Sequence, residues 1–124
     1  MYSDKKKPSE IGKMGENLVA DYLKSKGYTV IKRNYKDRYG EVDIIAENQE
    51  NLVFVEVKTR SENAIVSGIE AVDEKKKRLI QNEAVMFTKR LKTELEPRID
   101  VAEVVRSEVD GKEKWKLKYI KNAY

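Results

Sequence analysis

Apolar residues recur along this chain of 124 residues with two different spacings, and stop residues mark where one spacing gives way to the other. Between Ser9, a candidate N-cap, and Gly27, a candidate stop, they follow the period of an α-helix. The residues on this predicted apolar face are Ile11, Met14, Leu18, Val19, Tyr22 and Leu23. A similar arc predicts a second helix over residues 70–91, with Val72, Leu79, Ile80, Ala84, Met86, Phe87 and Leu91.

The remaining apolar segments have the composition and alternation of strands. They are residues 28–35, a hairpin over 40–60, "IDVAEVV" at 99–105 and "WKLKYI" at 115–120. The order of one helix, three strands, one helix and two strands predicts a single α/β domain with a mixed sheet and helices packed on it. Residues 1–8 are polar and contain "KKKP", so we expect a disordered tail before a domain at 9–124.

The hairpin carries carboxylates inside its most strand-like arms. If its turn is symmetric, antiparallel partners have numbers that sum to 99, which places Asp43 opposite Glu56. The same register places Glu41 opposite Lys58. Because side chains alternate between faces, all four are expected on one face. The other face is expected to be continuous core, with Val42, Ile44 and Ala46 against Val53, Val55 and Val57.

Opposed carboxylates repel each other and destabilise a sheet, so the pair Asp43 and Glu56 needs a shared proton, a neighbouring cation or a metal. Lys58 supplies one positive charge. Mg²⁺ is bound by one or two carboxylates while it keeps waters and takes phosphate oxygens. Both acids and the carbonyl of Val57 could hold it, and Glu16 could approach from the first helix. An ion ladder between Lys58 and the acids of the first arm would give the same sequence pattern.

Composition removes several kinds of chemistry. The chain has no cysteine and no histidine, which excludes disulfides, the usual zinc ligands and the commonest general base. No apolar run approaches a membrane span, so we expect a soluble, cytoplasmic protein with no membrane partner. The net charge of +4 and the pI near 9.1 are compatible with a polyanionic partner without establishing one.

Two further acids fall at apolar positions. Glu83 lies within the apolar arc of the second helix, and the pattern gives no reason for it. Asp100 lies within an apolar strand, where pairing with Arg98 and a structural role are expected.

The motifs resemble a known family. Asp43, twelve intervening residues and then Glu56-Val57-Lys58 match the D…E-x-K signature of the PD-(D/E)XK nuclease superfamily. Glu16 matches the helix-borne acid of its Holliday junction resolvase branch, and the predicted order resembles the restriction-endonuclease-like αβββαβ core. Almost the whole chain from residue 10 onward resembles the YraN-like family of uncharacterised bacterial proteins. The segments that carry this likeness are "GKMGENLVADYLKSKGYTVIKRNY", "GEVDIIA", "LVFVEVKTR", "RIDVAEV" and "YIKNAY".

The resemblance implies an endodeoxyribonuclease that hydrolyses phosphodiester bonds in DNA, at branched or single-stranded structures, with Mg²⁺ or Mn²⁺. Asp43 and Glu56 would be metal ligands, and Glu16 would be an auxiliary ligand. Lys58 would orient the attacking water and stabilise the developing phosphorane charge. A homodimer is suggested by analogy with resolvases. The alternative is a nucleic-acid-binding module without catalysis, and a third reading is a protein-interaction domain.

Residues around the motif keep two interpretations each. Glu41 either supports the metal ligands or pairs with Lys58. Arg60 either contacts phosphate or is a solvated charge at a strand end. Lys75 and the basic residues up to 78 either bind DNA or form a solvated helix face. Val42 stands where the superfamily signature has proline, a departure that the superfamily tolerates.

Overall fold

The computed structural model describes residues 7–62 and 73–124. Its elements are α1 (Pro8–Ser25), β1 (Thr29–Lys36), β2 (Glu41–Glu47), β3 (Asn51–Ser61), α2 (Glu74–Leu91), β4 (Glu96–Val109) and β5 (Lys112–Ile120). The predicted order of elements is confirmed. Most of the predicted tail, residues 1–6, lies outside the described residues, as do residues 63–72 with the predicted start of the second helix.

The five strands form one sheet in the order β1-β2-β3-β4-β5. Every neighbouring pair is antiparallel except β3 and β4, which are parallel. Parallel neighbours need a long crossover, and the connection that contains α2 provides it. The two helices pack on opposite faces of this mixed sheet, which confirms the predicted fold class and is consistent with a restriction-endonuclease-like fold.

α1 begins two residues earlier than a Ser9 N-cap would place it. Lys7 is the N-cap and Pro8 occupies the first turn, so the predicted capping role of Ser9 and the assignment of residue 8 to the tail are wrong. Proline suits this position because its fixed φ is helical and its missing N–H would have no partner there. Gly27 has φ +90°, the left-handed conformation that stops a helix, as predicted.

α2 is capped by Asp73, whose carboxylate accepts hydrogen bonds from the backbone N–H groups of Lys75 (3.1 Å) and Lys76 (3.3 Å). Because Asp73 is extended, α2 begins at Glu74. Leu91, expected on the apolar face, is 44% exposed at the last turn.

The last two strands are longer than their apolar cores predicted. β4 includes Pro97, before the apolar segment, and continues to Val109 beyond it. β5 begins at Lys112, because the chain reverses over Asp110 and Gly111 alone, with φ of +54° and +74°. Two consecutive positive φ values suit a tight hairpin turn, where Asp-Gly is a favoured pair.

The core is divided by the sheet. On the α1 face lie Val19, Ala20, Leu23, Tyr28, Ile44, Ala46, Val53, Val55, Ala102 and Val104. On the α2 face lie Val42, Ile45, Leu52, Phe54, Ile80 and Ala84. Each helix therefore holds one face of the same central strands, and β3 is buried on both sides over most of its length.

Asp100 is fully buried on the α1 face, and its expected pairing with Arg98 is confirmed. Arg98 donates to both carboxylate oxygens at 2.9 Å and to the Tyr28 hydroxyl at 2.7 Å. Tyr119 donates its hydroxyl to the same carboxylate at 2.5 Å, and the backbone N–H of Asn122 donates at 2.9 Å. A buried charge with this many donors is structural, because losing one partner would leave it uncompensated.

Gly15 marks the closest approach of α1 to the sheet. A Cβ at this position would collide with the side chain of Thr59 on β3, whereas a Cβ at Gly12, one turn earlier, would meet nothing within 4 Å. We expect Gly15→Ala to lower the free energy of unfolding by about 1–3 kcal/mol, the usual cost of overpacking. Gly12→Ala should raise it by about 0.5–1 kcal/mol. Urea denaturation of both variants measures the difference, and equal effects of the two changes would contradict the close approach.

Candidate active site

The site begins where the hairpin of β2 and β3 opens. The predicted register is confirmed from Glu47 opposite Leu52 to Ile44 opposite Val55. The pairing ends there, one residue before the two acids would face each other. The expected direct opposition of Asp43 and Glu56 is therefore wrong.

Asp43 ends the pairing with its own side chain. Its Oδ2 accepts a hydrogen bond of 2.7 Å from the backbone N–H of Val57, which a regular ladder would have satisfied with a β2 carbonyl. A charge-assisted bond of this kind is worth about 1.5–3 kcal/mol, enough to replace a ladder bond. The strands part here, and both carboxylates line the cavity of about 120 Å³ that results, with Glu41, Val42, Lys76 and Ile80.

The alternation of β2 also shifts at Asp43. Val42 packs with Ile45 on the α2 face, while Ile44 packs on the α1 face. The expectation that Val42 shares a face with Ile44 is therefore wrong. Asp43 lines one cavity with Ile80 of α2 and another with Glu16 of α1, as a residue at the opening between two strands would.

Desolvation raises the pKa of both carboxylates at this site. Glu56 is only 6% exposed, and nothing in residues 7–62 or 73–124 forms a hydrogen bond or ion pair with its carboxylate. Desolvation raises the pKa of Glu56, with Lys58 and Lys76 opposing the shift. Desolvation likewise raises the pKa of Asp43, opposed first by the Val57 N–H. An added cation would stabilise the ionised form of these two desolvated carboxylates, which no cation contacts.

Glu16 reaches the site from the α1 side but is already engaged. Its Oε1 accepts hydrogen bonds from Arg33 Nε (2.9 Å) and Asn34 Nδ2 (3.1 Å). It lines a cavity of about 270 Å³ that also contains Asp43 and Val57. In the described part of the chain no three acidic side chains form a group able to hold a metal. Glu16 thus shares a cavity with Asp43 while its Oε1 is held by Arg33 and Asn34, and its role as an auxiliary ligand, directly or through water, stays a prediction.

The donors that remain suit an ion that keeps some of its water. Asp43, Glu56 and the backbone carbonyl of Val57 offer hard oxygen ligands, and Mg²⁺ is commonly held by only one or two carboxylates. The residues therefore fit a magnesium or manganese site with two carboxylates.

Two lysines supply the positive charge around the acids. Lys58 lies two residues after Glu56 on the same strand. Lys76, on the first turn of α2, lines the carboxylate cavity and also a neighbouring cavity of about 300 Å³ with Lys58, Thr59 and Arg60. Lys75, which the sequence favoured, lines neither of these cavities.

Lys76 is the residue that sequence reasoning missed, although a signal for it exists. It lies four residues before Ile80, and residues four apart share a helix face. The apolar face of α2, continued one turn toward its N-terminus, therefore points Lys76 at the sheet. This spacing to Ile80, and not membership of the basic cluster at 75–78, distinguishes Lys76 from its basic neighbours.

Glu41 lines the carboxylate cavity, and its charge helps to raise the pKa of Asp43. Among the described residues no ion pair joins Lys58 to Glu41 or to Asp43. The ion ladder that would have explained the acids structurally is not formed.

Glu83, unexplained by the sequence, anchors the loop that leads into β2. Its side chain is fully buried on α2, and Arg90 Nη2 donates to its Oε1 (3.2 Å) and to Asp37 Oδ2 (3.0 Å). Burial, followed by the hydrogen bond with Asp37, raises the pKa of Glu83 to about 7. The same hydrogen bond holds the pKa of Asp37 at about 2. Glu83 is therefore mostly protonated below about pH 7, while Asp37 is ionised there.

The loop is also fixed by its backbone. Asp37 Oδ1 accepts from the N–H groups of Tyr39 (2.8 Å) and Gly40 (3.3 Å). Gly40 lies so close to the carbonyl of Leu79 on α2 that a Cβ would collide with it. Because Glu41 and Asp43 follow directly, these contacts fix the start of the strand that carries them.

Fold and site together define a two-helix, five-stranded α/β domain with a carboxylate pair at a parted hairpin. The chain belongs to the uncharacterised protein family UPF0102, whose model matches residues 15–104. A UPF0102 protein of Alkaliphilus oremlandii is 40% identical over 93% of this chain and 97% of its own length. One of Clostridium botulinum is 36% identical over 93% and 94%, and one of Syntrophomonas wolfei is 44% identical over 64% and 70%. Neither described helix has the length and apolar character to cross a membrane.

The buried Glu56 carboxylate gives a stability prediction. Its raised pKa means that its contribution to folding is complete below the ordinary value of 4.5 and is lost as pH rises through the folded value. Glu56→Gln should therefore raise the free energy of unfolding at pH 7 by about 0.2–1 kcal/mol without metal. Glu94→Gln, at an exposed position, is the matched control and should change little. Urea melts in chelator decide, and a destabilised Glu56→Gln would mean that the acid is structural.

Glu83 predicts a second pH effect of the same sign. Because its folded pKa is about 7 against an ordinary 4.5, wild-type stability should fall as pH rises from about 4.5 to 7. Glu83→Gln keeps the hydrogen bond and cannot titrate, so its stability relative to wild type should grow across this window. One proton limits the slope of the difference to about 1.4 kcal/mol per pH unit. Urea melts at several pH values measure the difference in free energy of unfolding between the variant and wild type. A difference that does not change with pH would contradict the raised pKa of Glu83.

Proposed function

We propose that this protein is a metal-dependent endonuclease of the PD-(D/E)XK type that hydrolyses phosphodiester bonds in DNA. The observation that carries the proposal is the Glu56 carboxylate, desolvated and without a contacting cation beside Asp43. A protein gains no stability from such a pair. Such a carboxylate pair is instead expected where a divalent cation and a phosphate bind.

Asp43, Glu56 and the Val57 carbonyl would hold the ion, and the hydrogen bond from the Val57 N–H fixes the Asp43 side chain in place. When bound, a divalent cation polarises a phosphoryl oxygen and lowers the pKa of water, which supplies the base that a chain without histidine lacks. Glu16 would approach from the α1 side as an auxiliary ligand, directly or through water.

The two lysines would serve the phosphate. Lys58, in the position of the signature lysine, orients the attacking water and stabilises charge that develops on the phosphoryl oxygens. Lys76 adds a second positive charge from α2 and lines the cavities on both sides of this point. Arg60 extends the same side toward the neighbouring phosphates. Branched or single-stranded DNA, a homodimer and a cytoplasmic location complete the proposal.

A module that binds nucleic acid without cutting it is the second candidate. It is favoured by the engagement of Glu16 with Arg33 and Asn34, which leaves two carboxylates rather than three for a metal. The two candidates share the basic surface and differ only in whether the carboxylate pair takes a cation.

Metal binding separates them without any assay of activity. An ion that binds only the folded state raises its stability by mass action, about 2.7 kcal/mol at a hundred times the dissociation constant. Mn²⁺ should therefore raise the melting temperature of wild type and of Glu94→Gln, and should not raise that of Asp43→Asn or Glu56→Gln. A wild type indifferent to Mn²⁺ and Mg²⁺ would remove the metal site.

Cleavage tests the reaction itself. With Mg²⁺ or Mn²⁺, a panel of branched, single-stranded and duplex DNA should be cut by wild type, and Glu56→Gln should lose at least about 10²-fold in rate. Lys58→Gln should lose rate by a similar factor while still binding Mn²⁺. DNA binding without cutting anywhere in the panel would favour the second candidate.

A further inference from the structure

We propose that Lys114, Lys116 and Lys118 of β5, here called the lysine row, form a track that binds the phosphate backbone of the nucleic acid beyond the carboxylate site. The inference rests on the proposed function, because it assigns a second surface to the same substrate. It concerns β5, the edge strand of the sheet opposite β1.

The register of the sheet places the lysine row on one face. In the β4–β5 hairpin, Lys118 is opposite Glu103, Lys116 is opposite Val105 and Lys114 is opposite Ser107. Directly opposed residues point to the same side of a sheet. The intervening residues of β5, which are Trp115, Leu117 and Tyr119, pack against the core on the α1 face. The lysine row therefore lies on the α2 face.

The carboxylate site is on that same face. In the parallel pairing of β3 with β4, Lys58 is opposite Glu103 and Arg60 is opposite Val105. One row across β3, β4 and β5 is thus Lys58, Glu103 and Lys118. The next row is Arg60, Val105 and Lys116. The cavity shared by Lys58, Arg60 and Lys76 contains Glu103 and Val105 as well, so it leads from the carboxylates toward β5.

The charges of the lysine row are available. All three side chains are exposed, and within residues 7–62 and 73–124 none of them forms an ion pair or a hydrogen bond, not even with Glu103. Alternate residues of a strand are about 6.6–6.8 Å apart, so the row presents evenly spaced positive charges along one line. Three aligned ammonium groups repel one another, and a polyanion removes that repulsion.

Nucleic acid is the occupant that fits best. The row continues a path that begins at a proposed phosphodiester site, and lysine is a point charge suited to phosphate. Binding through phosphates carries no sequence information and depends steeply on salt.

Salt-dependent binding tests the inference. Labelled branched DNA is titrated in chelator, so that cleavage and metal play no part, with wild type and with the triple variant K114Q/K116Q/K118Q. The triple variant should bind at least about tenfold more weakly at low salt, and the slope of log affinity against log salt should fall by about 2–3. The variant K114R/K116R/K118R should bind like wild type, since it keeps the charges.

The matched control is K24Q/K32Q/K89Q, which removes one exposed lysine each from α1, from β1 at the opposite edge of the sheet and from α2, and gives the same net charge. It should keep most of the wild-type slope. Equal losses in the two glutamine variants would overturn the lysine row as a defined track. A wild type that binds no nucleic acid, or that binds only anionic lipid vesicles, would overturn the proposed function with it.

Discussion

The hydrogen bond from the Val57 N–H to Asp43 Oδ2 is the contact on which the site depends. It substitutes a side-chain acceptor for a backbone carbonyl, and the ladder between β2 and β3 ends as a result. A regular hairpin would have brought the two carboxylates face to face on one surface. The parted hairpin instead places them around an opening, where Asp43 is accessible from both faces of the sheet.

Three other acids in this protein show what a satisfied carboxylate looks like. Asp100 receives donors from an arginine, a tyrosine and a backbone N–H. Glu83 has Arg90. Glu16 has Arg33 and Asn34. The Glu56 carboxylate differs from these three, because two lysines lie near it and neither contacts it. The described residues thus pair these three acids closely and leave Glu56 desolvated without a contacting cation.

The sequence predicted the fold because its signals are local and periodic. The helical arc of α1, the strand composition of β3 and the stop at Gly27 needed no tertiary information. The hairpin register followed from the turn, and it held as far as Ile44. It failed at Asp43 because a side chain competed with the backbone for one N–H, and no periodicity reports such a competition. The roles of Arg33 and Glu83 were not visible in the sequence, since Arg33 pairs with Glu16 of α1 and Arg90 links Glu83 to Asp37 before β2. Lys76 could have been found from its spacing to Ile80.

The two faces of the opening are not equivalent. On the α1 side, Arg33 pairs with Glu16, Asn34 donates a hydrogen bond to it, and Gly15 brings the helix against Thr59. On the α2 side, Lys76 stands at the mouth of the carboxylate cavity, and Lys58 and Arg60 continue along β3. The positive charges on this side therefore surround the approach to the carboxylates. The asymmetry follows from the parallel crossover, because α2 returns the chain to β4 and its first turn places Lys76 in the cavity with Glu56 and in the cavity with Lys58 and Arg60.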